Sequence, residues 1–484
     1  MSKGPLVERV QLGPGLEISR VLTGLWQIAD MERGGTEVDS GAGAKAMDSY
    51  VDAGLTTFDM ADHYGSAEVI AGAFRARRPG DGQMLTKWVP TPGPASREDV
   101  VAAVERALSR LGGESIDLLQ FHAWNYADPG WLDQLFWLTE LRDEGKIKNL
   151  GMTNCDAAHL QMALETGIPI VSNQVCFSLL DRRPAEAMTD VCRRHGVKLL
   201  AYGTLAGGLL SDRWIDSPEP PIDDALTWSQ MKYRRFVDEA GGWDRFQALL
   251  RTVKRVADRA GVSVANVACR YVMEQEAVGG IIVGARLGER SHLEETLKLF
   301  DFSLDAEAHQ ALSAAVDALD RVHGGCGDEY RRPPFLTAAG DLSHHVTEFP
   351  KPYPTKVVGG REYAFTGTIW EELAGFSRAV RVGNRISVSG TTATHRDKVI
   401  GGRDPAAQTH FILDKIEGAL QSLGAEMKDV IRTRVYLRNE DDWEPVSRAH
   451  GRRFDGVWPA NTLVQSTPIG DEYLVEIDAE AQVD

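Results

Sequence analysis

Short runs of β-branched and other apolar residues alternate with amphipathic stretches from Ser19 to about Leu299. This alternation is typical of repeated βα units, in which helices join parallel strands. The predicted strands are residues 21–28, 56–61, 84–88, 116–122, 149–154, 171–177, 198–203 and 279–284. Eight strands with intervening helices over roughly 250–300 residues predict an α/β fold of the (β/α)8 TIM barrel type rather than an open doubly wound sheet. The Gly-x-Gly-x-x-Gly sequence that would follow the first strand of a Rossmann fold is also missing.

The pattern changes over residues 321–368, which are rich in Gly, Pro and His and show no sustained period. Because this stretch also carries aromatic residues and arginines, we expect part of it to pack on the barrel rather than form a free linker. Beyond it, the predicted strands are 385–393, 430–438, 462–466 and 473–481, and the predicted helices are 406–424 and 442–454. We therefore predict a barrel with its extension over residues 1–345, a linker over 346–365, and a small α+β domain over 366–484.

Composition narrows the class of protein. The 484 residues carry a net charge of -17 with a mean hydropathy of -0.25, which does not suit a nucleic-acid binder. No run approaches the roughly 18 apolar residues of a membrane span. The five cysteines show neither a CxxC pair nor the paired His spacing of a zinc site. We expect a cytoplasmic protein that binds neither nucleic acid, membrane nor metal.

Four polar residues occupy or closely follow the carboxyl ends of predicted strands, where the residues of a barrel face a common site. They are Asp59, Tyr64, Lys87 and His122. A tyrosine can donate its phenolic proton to a developing alkoxide if a neighbouring ammonium lowers its pKa, and Lys87 is the candidate cation. Asp59 would hold Lys87 charged, and His122 would position the carbonyl oxygen. The alternative is a structural Asp–Lys ion pair with Tyr64 and His122 packed around it.

The segment GLTTFDMADHYGSAE (54–68), the lysine strand, DLLQFH (117–122), EGKIKNLGMTN (144–154) and SNQ (172–174) follow one another in order. Over residues of about 7–340 this sequence resembles the aldo-keto reductases. The resemblance implies that Asp59, Tyr64, Lys87 and His122 are the catalytic tetrad of a carbonyl reductase that uses NADPH, with NADH possible. It also implies a small-molecule aldehyde or ketone as the substrate.

The same resemblance implies a nicotinamide site. Thr153, Asn154 and Gln174 would hydrogen-bond the carboxamide, and Tyr202 would stack on the ring, although a helix cap and a core tyrosine are the simpler alternatives. The remaining cofactor candidates are Gly203, Thr204, Leu205, Gly207, Gly284, Ala285, Arg286, Arg290, His292 and Thr296. Gly284 and Ala285 would offer backbone amides, and Arg286 or Arg290 would pair with a 2′-phosphate, unless Arg290 to Glu295 is only a solvated helix start. Trp26, Trp88 and Trp124 would wall the substrate pocket or pack in the barrel.

Residues of about 366–484 are similar to the Rid/YjgF family of reactive-intermediate deaminases, which have a chorismate mutase-like fold. The similarity lies in segments 375–393, 404–437, 458–465 and 474–481. It implies a homotrimer, or a multiple of three, with ligand sites between subunits that include Ser389, Asn461 and Glu476. Imine-hydrolysing members have an arginine where this chain has Asn461, and an amide cannot replace a guanidinium toward a carboxylate.

Three functions remain open from the sequence. The first is a carbonyl reductase whose second domain oligomerises it or binds a metabolite. The second is a bifunctional enzyme that couples imine or enamine hydrolysis to carbonyl reduction, with Arg378, Arg381, Arg432 or Arg434 replacing the missing arginine. The third is a nicotinamide-binding regulatory sensor. The complete tetrad disfavours the third function and Asn461 disfavours the second.

Overall fold

The computed structural model describes residues 6–28, 39–287, 292–342 and 346–483. Its first part is a closed barrel of eight parallel strands, which confirms the predicted TIM barrel. A hairpin of β1 (Arg9–Gly13) and β2 (Leu16–Ser19) precedes it. The barrel strands are β3 (Val21–Gly24), β4 (Thr57–Asp59), β5 (Gln83–Trp88), β6 (Leu118–His122), β7 (Leu150–Thr153), β8 (Ile170–Cys176), β9 (Lys198–Tyr202) and β10 (Val278–Gly284).

Helices surround this barrel on the outside. They are α1 (Ser40–Asp52), α2 (Ala67–Arg77), α3 (Arg97–Leu111), α4 (Gly130–Asp143), α5 (Ala157–Glu165), α6 (Ala187–His195), α7 (Trp228–Glu239), α8 (Trp243–Ala260), α9 (Val264–Met273), α10 (Leu293–Leu297) and α11 (Ala306–Asp317). Local sequence defines their ends: α3, for example, begins at a Ser96–Asp99 capping box and stops at Gly112, whose φ is 60°. No helix in the described ranges is long and apolar enough to cross a lipid bilayer.

The hairpin closes the amino-terminal end of the barrel. Leu12 and Leu16 pack with the interior residues Leu22, Leu85 and Leu118 in one buried cluster. The opposite end, where the strands finish, is therefore the end at which polar side chains can meet a ligand.

The C-terminal domain is built on a seven-stranded sheet with the strand order β11-β12-β13-β14-β19-β17-β18. The strands are β11 (Thr355–Val358), β12 (Arg361–Ala364), β13 (Ala379–Val382), β14 (Arg385–Thr392), β17 (Val430–Leu437), β18 (Ala460–Gln465) and β19 (Val475–Gln482), and a separate pair is β15 (Thr394–His395) and β16 (Lys398–Val399). The helices are α12 (Ile369–Ala374), α13 (Pro405–Ser422) and α14 (Trp443–Arg453). This architecture confirms the predicted small α+β domain.

The predicted linker over 346–365 is wrong in its second half. Residues 355–364 form β11 and β12, a hairpin that belongs to the C-terminal sheet. Its turn is Gly359-Gly360, with φ values of 57° and 75°, which is the left-handed pair that a two-residue hairpin loop requires. The prediction missed it because β11 is exposed along its whole length and its sequence, TKVV, does not alternate between apolar and polar residues.

The two domains pack through helices. Helix α5 of the barrel lies against α13, which also covers the sheet of the C-terminal domain. Direct bonds cross this contact, among them one from Gln161 Nε2 to Asp404 Oδ2 at 2.6 Å and one from Asn125 Nδ2 to Gln421 Oε1 at 3.2 Å.

Candidate active site

The predicted Lys87–Asp59 pair lies at the carboxyl ends of β5 and β4. Lys87 Nζ is 2.7 Å from Asp59 Oδ2 and donates to the Met60 carbonyl at 2.8 Å. Both side chains are almost fully buried, at 4% and 3% exposed. Burial lowers the pKa of Lys87, and the carboxylate of Asp59 offsets only part of this effect. The result is a fixed ammonium and carboxylate at the centre of the barrel end.

Tyr64 lies beside this pair, with Lys87 Nζ 5.0 Å from the centroid of its ring. We expected Lys87 to lower the pKa of Tyr64, but the net shift is in the opposite direction. Burial raises the pKa of Tyr64 well above its ordinary value, and the nearby Asp59 carboxylate raises it further. Because Asp59 neutralises the ammonium, Lys87 does not act as an isolated cation. Tyr64 is therefore protonated at neutral pH and available as a proton donor.

His122 ends β6, and its ring lies 4.3 Å from that of Trp124, centroid to centroid. Trp124 is buried and donates from its indole nitrogen to the Pro90 carbonyl at 2.6 Å. Trp26 contacts Tyr64 edge-on at 4.9 Å between centroids. These contacts bring Trp26 and Trp124 to the two sides of the tetrad.

Trp88 does not wall a pocket. Side chains alternate along β5, so Lys87 and Leu85 point into the barrel while Trp88 points outward. Its ring packs on Phe121 at 5.6 Å in the layer between strands and helices. The substrate-pocket prediction for Trp88 is therefore wrong because of this alternation.

The predicted carboxamide ligands lie at the ends of β7 and β8. Gln174 Nε2 donates to Asp59 Oδ1 at 2.7 Å and to Gln120 Oε1 at 3.0 Å, so this amide is already part of the tetrad's support. Thr153 donates from its hydroxyl to the Gln174 carbonyl at 3.2 Å. Asn154 follows β7 with a φ of 54°, a left-handed backbone that is uncommon outside glycine. These contacts hold three predicted cofactor residues together next to Asp59.

Tyr202 ends β9 and donates from its hydroxyl to Asn154 Oδ1 at 2.7 Å. Gly203 and Gly207, in the turn that follows, have φ values of 70° and 65°, which need glycine. The hydroxyl of the buried Thr204 lies 3.7 Å from Cys269 Sγ on α9, and the next residue, Leu205, is half-buried.

In the segment after β10, one of the predicted cofactor contacts is excluded by the structure. Ala285 cannot offer its backbone amide to a phosphate, because its N–H donates to the Gly24 carbonyl at 3.0 Å. Gly284 and Arg286 are exposed, and Arg286 forms no ion pair with any residue that the structure describes. Arg290 lies outside the described residues. His292 precedes α10, and its carbonyl accepts from the backbone of Thr296 at 2.9 Å.

Sequence reasoning missed a second polar cluster at this end of the barrel. Lys232 of α7 donates to the Tyr330 hydroxyl at 2.6 Å, and Arg183 pairs with Glu329 at 2.9 Å and with Asp181 at 2.7 Å. All but Tyr330 are buried. The available signal was the run DEYRR (328–332) in a stretch otherwise rich in Gly and Pro, since charged residues of this kind anchor a segment on a protein body.

The three predicted Rid-like site residues do not meet within one chain. Asn461 Nδ2 donates to the hydroxyl of the buried Thr433 at 2.9 Å, on the face that the helices cover. Glu476 lies in register with the half-buried Tyr436, so it is on the open face of the sheet. Burial raises the pKa of Glu476. Ser389 donates to the Ser377 carbonyl at 2.8 Å.

Three of the four candidate replacement arginines have other partners. Arg378 is buried and donates to Gly390 and Thr391. Arg381 donates to the Gly383 and Leu423 carbonyls, and Arg434 pairs with Asp478 at 2.7 Å and Glu480 at 2.8 Å. The fourth, Arg432, forms no ion pair with any described residue.

Within the described ranges, no group of three His, Cys, Asp or Glu side chains is placed to hold a metal ion.

Comparisons with known proteins give different relatives for the barrel and for the C-terminal domain. Residues 369–483 match the family model described as Endoribonuclease L-PSP. The uncharacterized protein SCO2049 of Streptomyces coelicolor is 41% identical over 117 residues, which cover 24% of this chain and 87% of that protein. The C-terminal domain is therefore Rid/YjgF-like.

The barrel has its own relatives. Flagellar radial spoke protein 5 of Chlamydomonas reinhardtii is 29% identical over 296 residues, which are 48% of this chain and only 56% of that protein. The solved structure of the thermostable aldo-keto reductase Tm1743 shares the fold, with a TM-score of 0.50 and 24% identity over 64% of this chain and 99% of that chain. The model described as Aldo/keto reductase family matches residues 20–317. Because this match spans more than half of the sequence, the chain belongs to the aldo/keto reductase family.

Proposed function

We propose that the barrel reduces an aldehyde or ketone with NADPH and that the C-terminal domain assembles the protein as a trimer or a multiple of three. Members of the family are oxidoreductases that act on carbonyls and use nicotinamide cofactors. The observation that carries the proposal is the buried Lys87–Asp59 pair, which lies next to the protonated phenol of Tyr64. His122 lies at the end of the neighbouring strand β6.

The residues present fit a nicotinamide. Asn154 and Thr153 offer amide and hydroxyl groups beside Asp59, Tyr202 supplies an aromatic ring held by its bond to Asn154, and the exposed Arg286 can meet a 2′-phosphate. When bound there, the cofactor supplies the hydride. A carbonyl substrate then lies between that site, Tyr64 and His122.

In this arrangement Tyr64 donates its phenolic proton to the carbonyl oxygen as negative charge develops on it. Lys87, held by Asp59 and the Met60 carbonyl, stabilises the phenolate that remains. His122 donates a hydrogen bond to the same oxygen and fixes its direction. Trp26 and Trp124 exclude water on either side, which strengthens each of these interactions.

The position of the barrel supports the assembly proposal, because it leaves one face of the C-terminal sheet uncovered. The barrel packs on α13, so it lies on the helical side of the C-terminal sheet, and the other face of the sheet is open. That face is not purely apolar. It carries the ion pairs of Arg434 with Asp478 and Glu480, so an interface there includes buried polar contacts.

The C-terminal domain's own chemistry is metabolite binding in this proposal rather than imine hydrolysis. Asn461 is bonded to Thr433 and faces away from Glu476, and Arg378, Arg381 and Arg434 are engaged elsewhere. These contacts favour the reductase over the bifunctional enzyme.

The test of the reductase is Tyr64→Phe, assayed by NADPH absorbance with a panel of aldehydes and ketones. We expect a loss in kcat of about 10²-fold or more, with the dissociation constant of NADPH unchanged, because the variant removes only the proton donor. Near-normal turnover by the variant on the best substrate would contradict the tetrad assignment.

A further inference from the structure

The segment that carries Tyr330 is fixed to the barrel from both sides. Glu329, 2% exposed, pairs with Arg183 at 2.9 Å, and Arg331 donates to the Ala123 carbonyl at 2.7 Å and the Asn154 carbonyl at 2.7 Å. These anchors attach it to the loops that follow β6, β7 and β8. The half-buried Tyr330 between them therefore has little freedom to move away from the barrel end.

Lys232 determines how Tyr330 presents its hydroxyl group. Lys232 is 8% exposed, and its ammonium lies 2.6 Å from the Tyr330 oxygen and 3.5 Å from the Tyr202 oxygen. An ammonium only donates hydrogen bonds, so the Tyr330 oxygen is the acceptor and its own proton is directed elsewhere. No described residue accepts that proton in a hydrogen bond.

The Tyr330 side chain lies close to the tetrad. Its ring is 6.0 Å from the His122 ring, centroid to centroid, and Tyr330 is among the neighbours that raise the pKa of Tyr64. A substrate whose carbonyl oxygen meets Tyr64 and His122 therefore lies beside the Tyr330 side chain.

Charge decides which group Tyr330 can recognise. Lys232 lies 3.8 Å from Glu329, and Arg183 is shared between Glu329 and Asp181, so two cations are balanced by two carboxylates. Lys232, the cation that holds Tyr330, is therefore balanced by Glu329 and is not free to pair with a carboxylate or phosphate. Tyr330 offers one oriented hydroxyl proton, which matches a neutral oxygen acceptor.

We propose that Tyr330, held by Lys232, is a specificity-determining residue that donates a hydrogen bond to a neutral oxygen on the carbon next to the carbonyl being reduced. The inference rests on the proposed carbonyl reduction and deepens it. Substrates of this class are hydroxy- or oxo-substituted aldehydes and ketones rather than purely apolar ones.

The test compares glycolaldehyde with propanal, which places a methyl group where glycolaldehyde has its hydroxyl. With NADPH, we expect the wild-type protein to prefer glycolaldehyde in kcat/KM by about tenfold, the effect of one neutral hydrogen bond. Tyr330→Phe keeps the ring and should abolish this preference through a higher KM for glycolaldehyde, with propanal unaffected. Lys232→Met should lose the same preference. The matched control is Tyr271→Phe, which removes a buried phenol on α9 and should leave the preference intact.

Wild-type protein that reduces propanal without preferring glycolaldehyde would overturn this inference and leave the proposed reductase standing. A Tyr330→Phe variant that loses activity equally on both substrates would also overturn it, since that result indicates a structural role. Absence of reduction of either aldehyde by wild-type protein would count against the proposed function and the inference together.

Discussion

His159 of the barrel and Asp414 of the C-terminal domain form a buried pair, with 3.0 Å between Nε2 and Oδ2. His159 also contacts Asp156 through Nδ1 at 2.7 Å, and Asp414 is paired with Arg453 at 2.5 Å. The imidazole stacks on Tyr126 with 3.5 Å between centroids. The two domains are thus joined by buried charged groups as well as by neutral contacts such as the Asn125–Gln421 bond.

We expect His159→Phe to destabilise the protein by about 3 kcal/mol, because it keeps a ring against Tyr126 but removes the imidazolium from between the buried Asp414 and the half-buried Asp156. Chemical denaturation monitored by fluorescence measures the change. The control is His309→Phe, which removes a partly exposed His–Glu274 pair and should cost less than about 1 kcal/mol. Equal losses in the two variants would contradict a special contribution from the pair between domains.

The same contact predicts a pH dependence. Burial alone would lower the pKa of His159, but the carboxylates of Asp156 and Asp414 outweigh it and raise the pKa to about 9. Protonated His159 therefore stabilises the folded protein fully below its ordinary pKa of about 6.5, and this stabilisation is lost as the pH rises through about 9. The loss should total about 3 kcal/mol. Thermal unfolding from pH 6 to 10 should show wild-type protein approaching His159→Phe, and a constant difference would contradict the assignment.

The sequence predicted the barrel and its centre because both depend on local pattern. Each strand is a short apolar run, and the carboxyl-end rule places Asp59, Lys87 and His122 without knowledge of distant contacts. The orientation of Trp88 also follows from a local rule, because side chains alternate along β5 and the preceding Lys87 points into the barrel. The prediction for Trp88 did not apply this rule.

The missed features depend on contacts between distant parts of the chain. Lys232 and Tyr330 are 98 positions apart, and His159 and Asp414 are 255 apart. Neither pair has a spacing that a helix or a strand could reveal. The pKa of Tyr64 was missed for a related reason, since it depends on how deeply the phenol is buried and on Asp59 rather than on the presence of Lys87 alone.

Cofactor preference is the next prediction. Arg286 follows β10, is exposed, and has no described ion-pair partner, so it can pair with the 2′-phosphate of NADPH. We expect Arg286→Ala to weaken NADPH binding by about 1.5 kcal/mol and to leave NADH binding unchanged. This value is the low end for a hydrogen bond to a charged group, because the site is exposed. Fluorescence titration measures both constants. The control is Arg255→Ala, on the outer helix α8. Equal weakening of NADPH and NADH binding by Arg286→Ala would show that Arg286 has a structural role.

The last prediction concerns assembly through the open face of the C-terminal sheet. Val464 of β18 lies in register with Tyr436 of β17 on that face and is 43% exposed in the single chain. If partner subunits cover this face, Val464→Asp places an unpaired carboxylate inside the interface, which costs several kcal/mol and should dissociate the assembly. Analytical ultracentrifugation should show wild-type protein as a trimer or a multiple of three, and the variant as a monomer.

A matched control separates assembly from folding. Val69 on α2 of the barrel is also 43% exposed, so Val69→Asp adds the same charge at the same exposure and should leave the sedimentation coefficient unchanged. Carbonyl reduction should persist in the monomeric Val464→Asp protein, because Tyr64, Lys87 and their supports all lie in the barrel. A monomeric wild-type protein would exclude the assembly, and a Val464→Asp variant that remains trimeric would place the interface on another surface.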